Sequence, residues 1–126
     1  MHKNYNTKPN GTLIALAFIV LFIIIAHLCV SSLNNMESNK FVGTWSCGSE
    51  TWVFEENGDL ICRSEQSIVE GTYKIEKGHI FITMGEQSSI ATTGVEEYTY
   101  YFSDDGLTLE LHWVYLDGFR TLIKQK

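Results

Sequence analysis

Phe41-Val42-Gly43-Thr44-Trp45 is the stretch at which the character of this sequence changes. A continuous apolar run precedes it. After it, apolar and polar residues alternate with a period of two to the end of the chain, as they do in strands with one buried face. The stretch therefore divides a membrane-directed N-terminal segment from a β-structured domain.

The apolar run covers residues 13–30, in which only His27 is not plainly hydrophobic, and residues 31–33 extend it. Because about 20 residues of helix cross a hydrocarbon core, residues 13–33 are predicted to be a transmembrane helix that acts as a signal anchor and has the lipid bilayer as its partner. Lys3 and Lys8 before the run predict that residues 1–12 are cytoplasmic and that the domain is extracytoplasmic at the cell membrane.

Two other fates of this segment stay open. Val30 and Ser32 are suitable small residues for a signal-peptidase site, and Cys29 is the position at which a lipoprotein would be modified. The apolar run is longer than the 7–15 residues usual in a cleaved signal, which favours a retained anchor.

Residues 34–40 are polar and are predicted to be a short linker to a domain over residues 41–126. Asn57-Gly58 and Lys77-Gly78 are hairpin turn signals, and the second sets Ile75 opposite Ile80. Eight strands are predicted: Phe41–Cys47, Thr51–Glu55, Leu60–Ser64, Val69–Ile75, Ile80–Met84, Glu96–Ser103, Leu107–Trp113 and Phe119–Lys124.

Consecutive short turns between these strands indicate an up-and-down meander. Eight strands are the number at which a meander closes with a filled or small interior. The predicted fold is all-β, an eight-stranded antiparallel up-and-down barrel preceded by one transmembrane helix, and a two-sheet sandwich is the alternative. Residues 85–94 form the longest connection, and their composition suits either a loop over one barrel mouth or plain variable surface.

The alternation also divides the aromatic residues between the two faces of the barrel wall. Tyr101, Phe81 and Tyr115 are predicted to point outward, and if they meet they form a patch for a partner or for a neighbouring barrel. The residues predicted to line the interior are Trp52, Phe54, Tyr73, Ile82, Tyr98, Tyr100, Phe102, Leu109 and Trp113.

A Gly43-x-Trp45 on the first strand of an eight-stranded meander resembles the lipocalin family, and residues 41–124 as a whole are similar to short microbial lipocalin-like domains. The resemblance implies that Gly43, Trp45 and a basic residue of the last strand close one end of the barrel. The basic side chain would cover the indole ring in a cation–π contact. Arg120 is the candidate for that role, and Lys124 is the alternative. The strands are shorter than those of large lipocalins, and their C-terminal helix is missing.

Charge and motifs exclude several functions. The region after the apolar run holds fifteen acidic and seven basic residues, a formal charge of −8, which argues against a nucleic-acid partner. His79 and His112 have no spacing to other ligands that resembles a metal motif, and no catalytic or cofactor-binding motif occurs. Glu96 and Glu97 are interpreted as solvated carboxylates, and Asn57 with Asp59 offers only a weak cation site. We expect neither an enzyme nor a cofactor.

Cys47 and Cys62 lie in the exported domain, where a disulfide is chemically allowed. If Asn57-Gly58 forms a two-residue turn, Cys62 faces Val53, and the two cysteines point to opposite faces of the sheet. A shift of one residue would reverse this argument, so a bridge stays open.

These observations lead to two functional hypotheses. The first is a membrane-anchored, extracytoplasmic, lipocalin-like binding module for a small apolar ligand. The second is a structural or protein-interaction domain of the cell envelope without a ligand pocket.

Overall fold

The computed structural model describes residues 10–85 and 94–126, and in these it contains one helix and eight strands. Lys3, Lys8 and most of the connection 85–94 lie outside the described residues. The chain divides into two compact units, Met1–Leu33 and Asn34–Lys126. The elements are α1 (Gly11–Phe41), β1 (Gly43–Cys47), β2 (Glu50–Phe54), β3 (Asp59–Arg63), β4 (Ile68–Glu76), β5 (His79–Met84), β6 (Val95–Phe102), β7 (Thr108–Trp113) and β8 (Phe119–Lys124).

The helix α1 has 31 residues, and the mean hydropathy of its 18-residue apolar window is 3.1. None of that window is buried inside the protein. Its exposed side chains include Leu13, Phe18 and Phe22, which water solvates poorly. By length and composition, α1 is therefore apolar enough to cross a membrane.

Residues 34–40 were predicted to be a linker, but they form the last turns of α1. Their polar side chains are compatible with a helix, and Lys40 forms an ion pair with Glu37 at 3.0 Å, three residues earlier. The helix ends at Phe41, and Gly43 then adopts a φ of 132°, which turns the chain into β1. The segment predicted to be a linker is therefore helical, and only Val42 separates the helix from β1.

The eight strands form a closed barrel in which each strand pairs with its neighbours in sequence order, and β1 pairs with β8. All pairs are antiparallel, so the predicted up-and-down barrel is confirmed. The pairing of Trp45 with Lys124 and of Ser46 with Ile123 closes the sheet, which rules out the alternative two-sheet sandwich.

Every strand contributes at least one buried side chain to the barrel axis. Such a core is expected when inward positions alternate with outward positions around a small barrel. The buried residues of the strands are Trp45, Trp52, Phe54, Leu60, Tyr73, Ile75, Ile80, Ile82, Tyr98, Leu109, Leu111 and Leu122.

The predicted register is correct where the turn has two residues. Lys77 with a φ of 52° and Gly78 with a φ of 79° connect β4 to β5, and Ile75 pairs with Ile80 as expected. The β2–β3 turn instead has three residues, because the Glu55 N–H bonds to the Asp59 carbonyl oxygen at 2.9 Å. This extra residue shifts the β2–β3 register by one.

The β6–β7 hairpin differs by two residues. A turn centred on Asp104-Asp105 would set Tyr100 opposite Leu109, but Tyr100 pairs with Leu111. A shift by two keeps every side chain on its expected face, since the strand period is two. Leu107 is the exception: it was predicted to begin the strand, but it precedes β7 in the turn and is 43% exposed.

Candidate functional site

Phe41, the last residue of α1, closes the helix end of the barrel. Its side chain is fully buried, and its ring centroid lies 4.9 Å from the ring centroids of both Tyr100 and Phe102. The rings of Phe54 and Tyr73 lie at 5.7 and 6.4 Å. One helical residue therefore completes an aromatic cluster contributed by three strands.

Trp45 lies beside Phe41 and is also fully buried. Its indole Nε1–H donates a hydrogen bond of 2.7 Å to the Phe41 carbonyl oxygen, and the Lys124 Nζ lies 5.1 Å from its ring centroid. A Cβ on Gly43 would lie 3.2 Å from the Lys124 Cε, and its φ is positive. Gly43 thus both turns the chain and leaves room for the lysine over the indole.

The structure corrects the assignment of Arg120 as the residue that covers Trp45. Lys124, the alternative, is the β8 residue directly opposite Trp45 in the β1–β8 register. Arg120 lies on the same face of β8 but four residues earlier, about 13 Å along the strand. It covers different tryptophan rings at the other end of the barrel.

The nine residues predicted to line the interior all belong to the core or pack against it. Six are buried, and Tyr100, Phe102 and Trp113 are partly buried against the others. Their shared inward direction follows from the strand period, and together they fill the barrel axis.

A second cluster lies at the end of the barrel opposite Phe41, and we call it the mouth cluster: Glu50, Trp52, Glu96, Tyr98, Trp113 and Arg120. The Arg120 Cζ lies 5.0 Å from the centroid of Trp113 and 5.6 Å from that of Trp52. The guanidinium group is therefore held against two aromatic rings, a geometry that favours a cation.

The two carboxylates of the mouth cluster accept hydrogen bonds from aromatic side chains. The Trp52 Nε1–H donates to the Glu50 Oε2 at 3.1 Å, and the Tyr98 hydroxyl donates to the Glu96 Oε2. Burial, followed by the Glu96 hydrogen bond, raises the pKa of the Tyr98 phenol well above its usual range. The phenol therefore stays protonated and remains a donor.

Arg120 is less well paired than its carboxylate neighbours. Its Nη1 lies 3.7 Å from the Glu50 Oε2, which is longer than a hydrogen bond. Its Nε is buried and has no hydrogen-bond partner within residues 10–85 and 94–126. The side chain as a whole is 31% exposed.

Glu50 and Glu96 are functional residues that were not predicted to belong to an inward cluster. Glu96 was interpreted as a solvated carboxylate and Glu50 was assigned no role, yet each precedes an inward aromatic residue by two positions, Trp52 and Tyr98 respectively. The strand period alone therefore places both carboxylates on the inner face. The alternation of residues along each strand would therefore have predicted both positions.

Cys47 and Cys62 point to the same face, contrary to the expectation from a two-residue turn. Cys62 pairs with Trp52, which pairs with Trp45, two residues before Cys47. Both thiols are free, and β2 lies between their strands, so their Cα atoms are about 9 Å or more apart, beyond disulfide range. Burial, followed by the nearby Glu50, raises the pKa of the Cys62 thiol to about 12.

The outer surface of β6–β8 carries an exposed group that we call the outer aromatic face: Tyr101, His112, Tyr115 and Phe119. The His112 ring stacks on Phe119 at 5.2 Å and meets the edge of Tyr101 at 5.3 Å. Tyr101, Tyr115 and Phe119 are 61%, 80% and 59% exposed. The outward direction expected for Tyr101, Phe81 and Tyr115 is observed, and Phe81, between the buried Ile80 and Ile82, is half-buried.

Two histidine–glutamate pairs flank this face. The His79 Nδ1 lies 2.5 Å from the Glu97 Oε1, and the His112 Nε2 lies 3.1 Å from the Glu110 Oε2. The hydrogen bond from His79, and then that from Tyr115 at 2.9 Å, lower the pKa of Glu97. In the described part of the chain, no three His, Cys, Asp or Glu side chains are grouped to hold a metal ion.

Asn57 and Asp59, the weak cation site of the sequence analysis, bond to each other. The Asn57 Nδ2 donates to the Asp59 Oδ2 at 2.7 Å, and the Asp59 N–H donates to the Asn57 Oδ1 at 3.0 Å. These bonds stabilise the three-residue turn, so both side chains have a structural role.

The fold and these two surfaces define a class of protein: a closed eight-stranded antiparallel barrel behind an apolar N-terminal helix, with a packed axis, a charged mouth cluster and an aromatic outer face. Comparison with protein-family models, with curated proteins and with solved structures found no match to this chain. The functional argument therefore depends on the residues themselves.

Proposed function

We propose that this chain is a membrane-anchored, extracytoplasmic interaction domain without enzymatic activity, and that its outer aromatic face binds a protein partner. The observation that carries the proposal is the contiguous ring contact of Tyr101, His112 and Phe119 on a surface that is otherwise open to solvent. Exposed aromatic side chains of this kind are enriched where proteins bind each other.

The barrel interior supports this choice over a large apolar pocket. Side chains from all eight strands are buried along the axis, and Phe41 fills the helix end. A closely packed aromatic core contributes to stability and leaves the outer surface as the part that can vary its contacts. The fold is compatible with a lipocalin-like architecture, and the proposal uses that term for the architecture alone.

The charge of the face favours a basic partner. The strands β6, β7 and β8 present Glu97 and Glu110 outward, and their only arginine and lysine, Arg120 and Lys124, point inward. The domain as a whole is acidic. A partner segment rich in lysine or arginine would gain both charge complementarity and cation–π contacts with the exposed rings.

The test is co-purification from cell-envelope membranes with the full chain as bait. The variant Tyr101→Ala/Phe119→Ala should retain about tenfold less partner than the wild type, because exposed aromatic anchors carry most of the energy of such contacts. Ile68→Ala is the matched control, since Ile68 is an apolar residue 65% exposed on β4. Partner capture that is equal for all three baits would refute the proposal.

The partner recovered in this way must also meet the chemical requirement. Its capture should weaken as the salt concentration is raised, since salt screens contacts between exposed charges. A partner whose capture is insensitive to salt and whose binding region lacks lysine and arginine would contradict the proposed basic segment. A second copy of this chain as the captured species would do the same.

A further inference from the structure

The mouth cluster places a cation and two carboxylates at one end of the barrel, among aromatic side chains. Arg120 is one of the inward residues of β8, Glu50 begins β2, and Glu96 lies near the start of β6. The Tyr98 ring, whose hydroxyl donates to Glu96, lies 5.5 Å from the Trp113 ring that Arg120 covers. The Arg120 Nη1 also lies 3.7 Å from the Glu50 carboxylate, so the three charged groups lie in one region. This region is separate from the outer aromatic face.

Closure of the barrel end does not by itself account for the position of Arg120. A guanidinium group has five N–H donors, and a buried donor without an acceptor is costly. The buried Nε has no acceptor in the described ranges, and the nearest carboxylate oxygen, on Glu50, lies 3.7 Å from Nη1. At the other end of the same strand, Lys124 covers Trp45, and Arg120 Nε is the only buried side-chain nitrogen or oxygen without a partner in the described ranges. Arg120 thus has unused capacity for an acceptor.

A plain anion would not suit the site. Glu50 and Glu96 bring two negative charges against the single positive charge of Arg120, so a ligand with only a carboxylate would be repelled. A ligand with only a cationic group would leave the Arg120 donors unpaired. A molecule with both groups satisfies both requirements.

We propose that the mouth cluster is a binding site for a small zwitterion, a carboxylate and an ammonium group on one short apolar molecule such as a free amino acid. The carboxylate pairs with the Arg120 guanidinium group, whose position is fixed by Trp52 and Trp113. The ammonium group pairs with Glu96 and Glu50, which are oriented by Tyr98 and Trp52. The apolar part of the ligand contacts the indole rings.

The test uses the full chain in lipid nanodiscs with three probes of similar shape. L-Leucine carries both charged groups, 4-methylpentanoate carries only the carboxylate, and 3-methylbutylamine carries only the ammonium group. Binding is followed by the NMR shifts of the indole Nε1–H groups of Trp52 and Trp113. We expect saturable binding of leucine and about tenfold or weaker binding of each single-charge probe, because each loses one charged pair.

Variants connect the binding to particular residues. Arg120→Gln should abolish leucine binding, whereas Lys124→Gln, which removes the matched cation at the other end of β8, should leave it unchanged. Glu96→Gln should shift the preference toward 4-methylpentanoate, and this result does not depend on whether Arg120→Gln folds. Tyr101→Ala/Phe119→Ala should bind leucine normally, which separates this site from the proposed partner surface.

Several outcomes would overturn the proposal. These are the absence of saturable leucine binding, equal affinity for leucine and 4-methylpentanoate in the wild type, or leucine binding by folded Arg120→Gln at wild-type strength. In the last case Arg120 would serve only to cover the two indole rings.

Discussion

The Trp45 indole Nε1–H donates a hydrogen bond of 2.7 Å to the carbonyl oxygen of Phe41, the residue that ends the helix. This bond connects the last turn of α1 to the first strand of the barrel. It also satisfies a carbonyl group that has no partner within the helix, as is usual at helix ends. Phe41 and the Trp45 indole are therefore one structural unit.

Trp45→Ala should destabilise the barrel strongly. The substitution removes a fully buried indole and leaves the Phe41 carbonyl oxygen without its donor, so we expect a loss of about 3–5 kcal/mol in the free energy of unfolding. Urea unfolding followed by far-UV circular dichroism measures it. Trp45→Phe is the matched variant, and it should cost less because an apolar ring remains. An unchanged unfolding midpoint for Trp45→Ala would contradict the role assigned to this end.

Lys124→Gln should expose the Trp45 ring without unfolding the protein. The ammonium group lies 5.1 Å from the ring centroid, and a contact of this kind contributes about 0.5–2 kcal/mol. We expect a modest decrease in stability and stronger quenching of the fluorescence of Trp45 by acrylamide. Measurement in a chain whose other tryptophans are phenylalanine isolates the signal. Equal quenching with lysine and glutamine at position 124 would show that the lysine does not protect the ring.

Gly71→Ala should be among the most damaging substitutions in the barrel. A Cβ at this position would lie 2.3 Å from the backbone carbonyl oxygen of Thr83 on the neighbouring strand, so the sheet itself would have to move. The backbone φ of Gly71 is not in the positive range, so the effect is steric and not conformational. Thermal unfolding of the variant should show a large decrease in the midpoint. Gly11→Ala, where a Cβ meets nothing within 4 Å, should leave it unchanged.

Acid should weaken the contact between the helix end and the barrel. The hydrogen bond from Tyr100 at 2.6 Å, and then that from Lys40, lower the pKa of Glu37 below its usual 4.5. A carboxylate with a lowered folded-state pKa stabilises the fold above its unfolded pKa, and this contribution is lost as the pH falls through the folded value. The urea concentration at the unfolding midpoint should therefore decrease as the pH is lowered below about 4.5.

Glu37→Gln tests which group causes this acid dependence. The variant should be less stable than the wild type at pH 7 and should lose less stability between pH 5 and pH 3. Unfolding curves at several pH values give both quantities. If the wild type and the variant lose the same stability between pH 5 and pH 3, the acid dependence arises from other carboxylates. Glu97 and Asp105 are examples, since their pKa values are also lowered.

Cys62 should react slowly with iodoacetamide in the native chain. Its thiol is partly buried, and its pKa is about 12, so very little thiolate exists at pH 8. We expect labelling in denaturant to be much faster than labelling of the folded protein, as measured by peptide mass spectrometry. A Cys47–Cys62 linked peptide in a digest of the oxidised native protein would contradict the strand separation described above.

The sequence determined how side chains alternate between the two faces within a strand. In β6, the alternation in Tyr98, Tyr100 and Phe102 requires that all three point inward, and the structure agrees, since a strand has no other period. Short turns between consecutive strands also determined the meander, because antiparallel neighbours need no long crossover. The apolar run determined the helix that is long enough to cross a membrane.

Only the tertiary structure decided which side chains meet. The three-residue turn at Asn57 shifted Cys62 from Val53 to Trp52, and the β1–β8 register placed Lys124, and not Arg120, opposite Trp45. Likewise, the last turns of α1 became part of the barrel because Phe41 completes an aromatic cluster drawn from distant strands. Periodicity is a local property of the chain, whereas register and closure depend on turn length and on packing across the whole barrel.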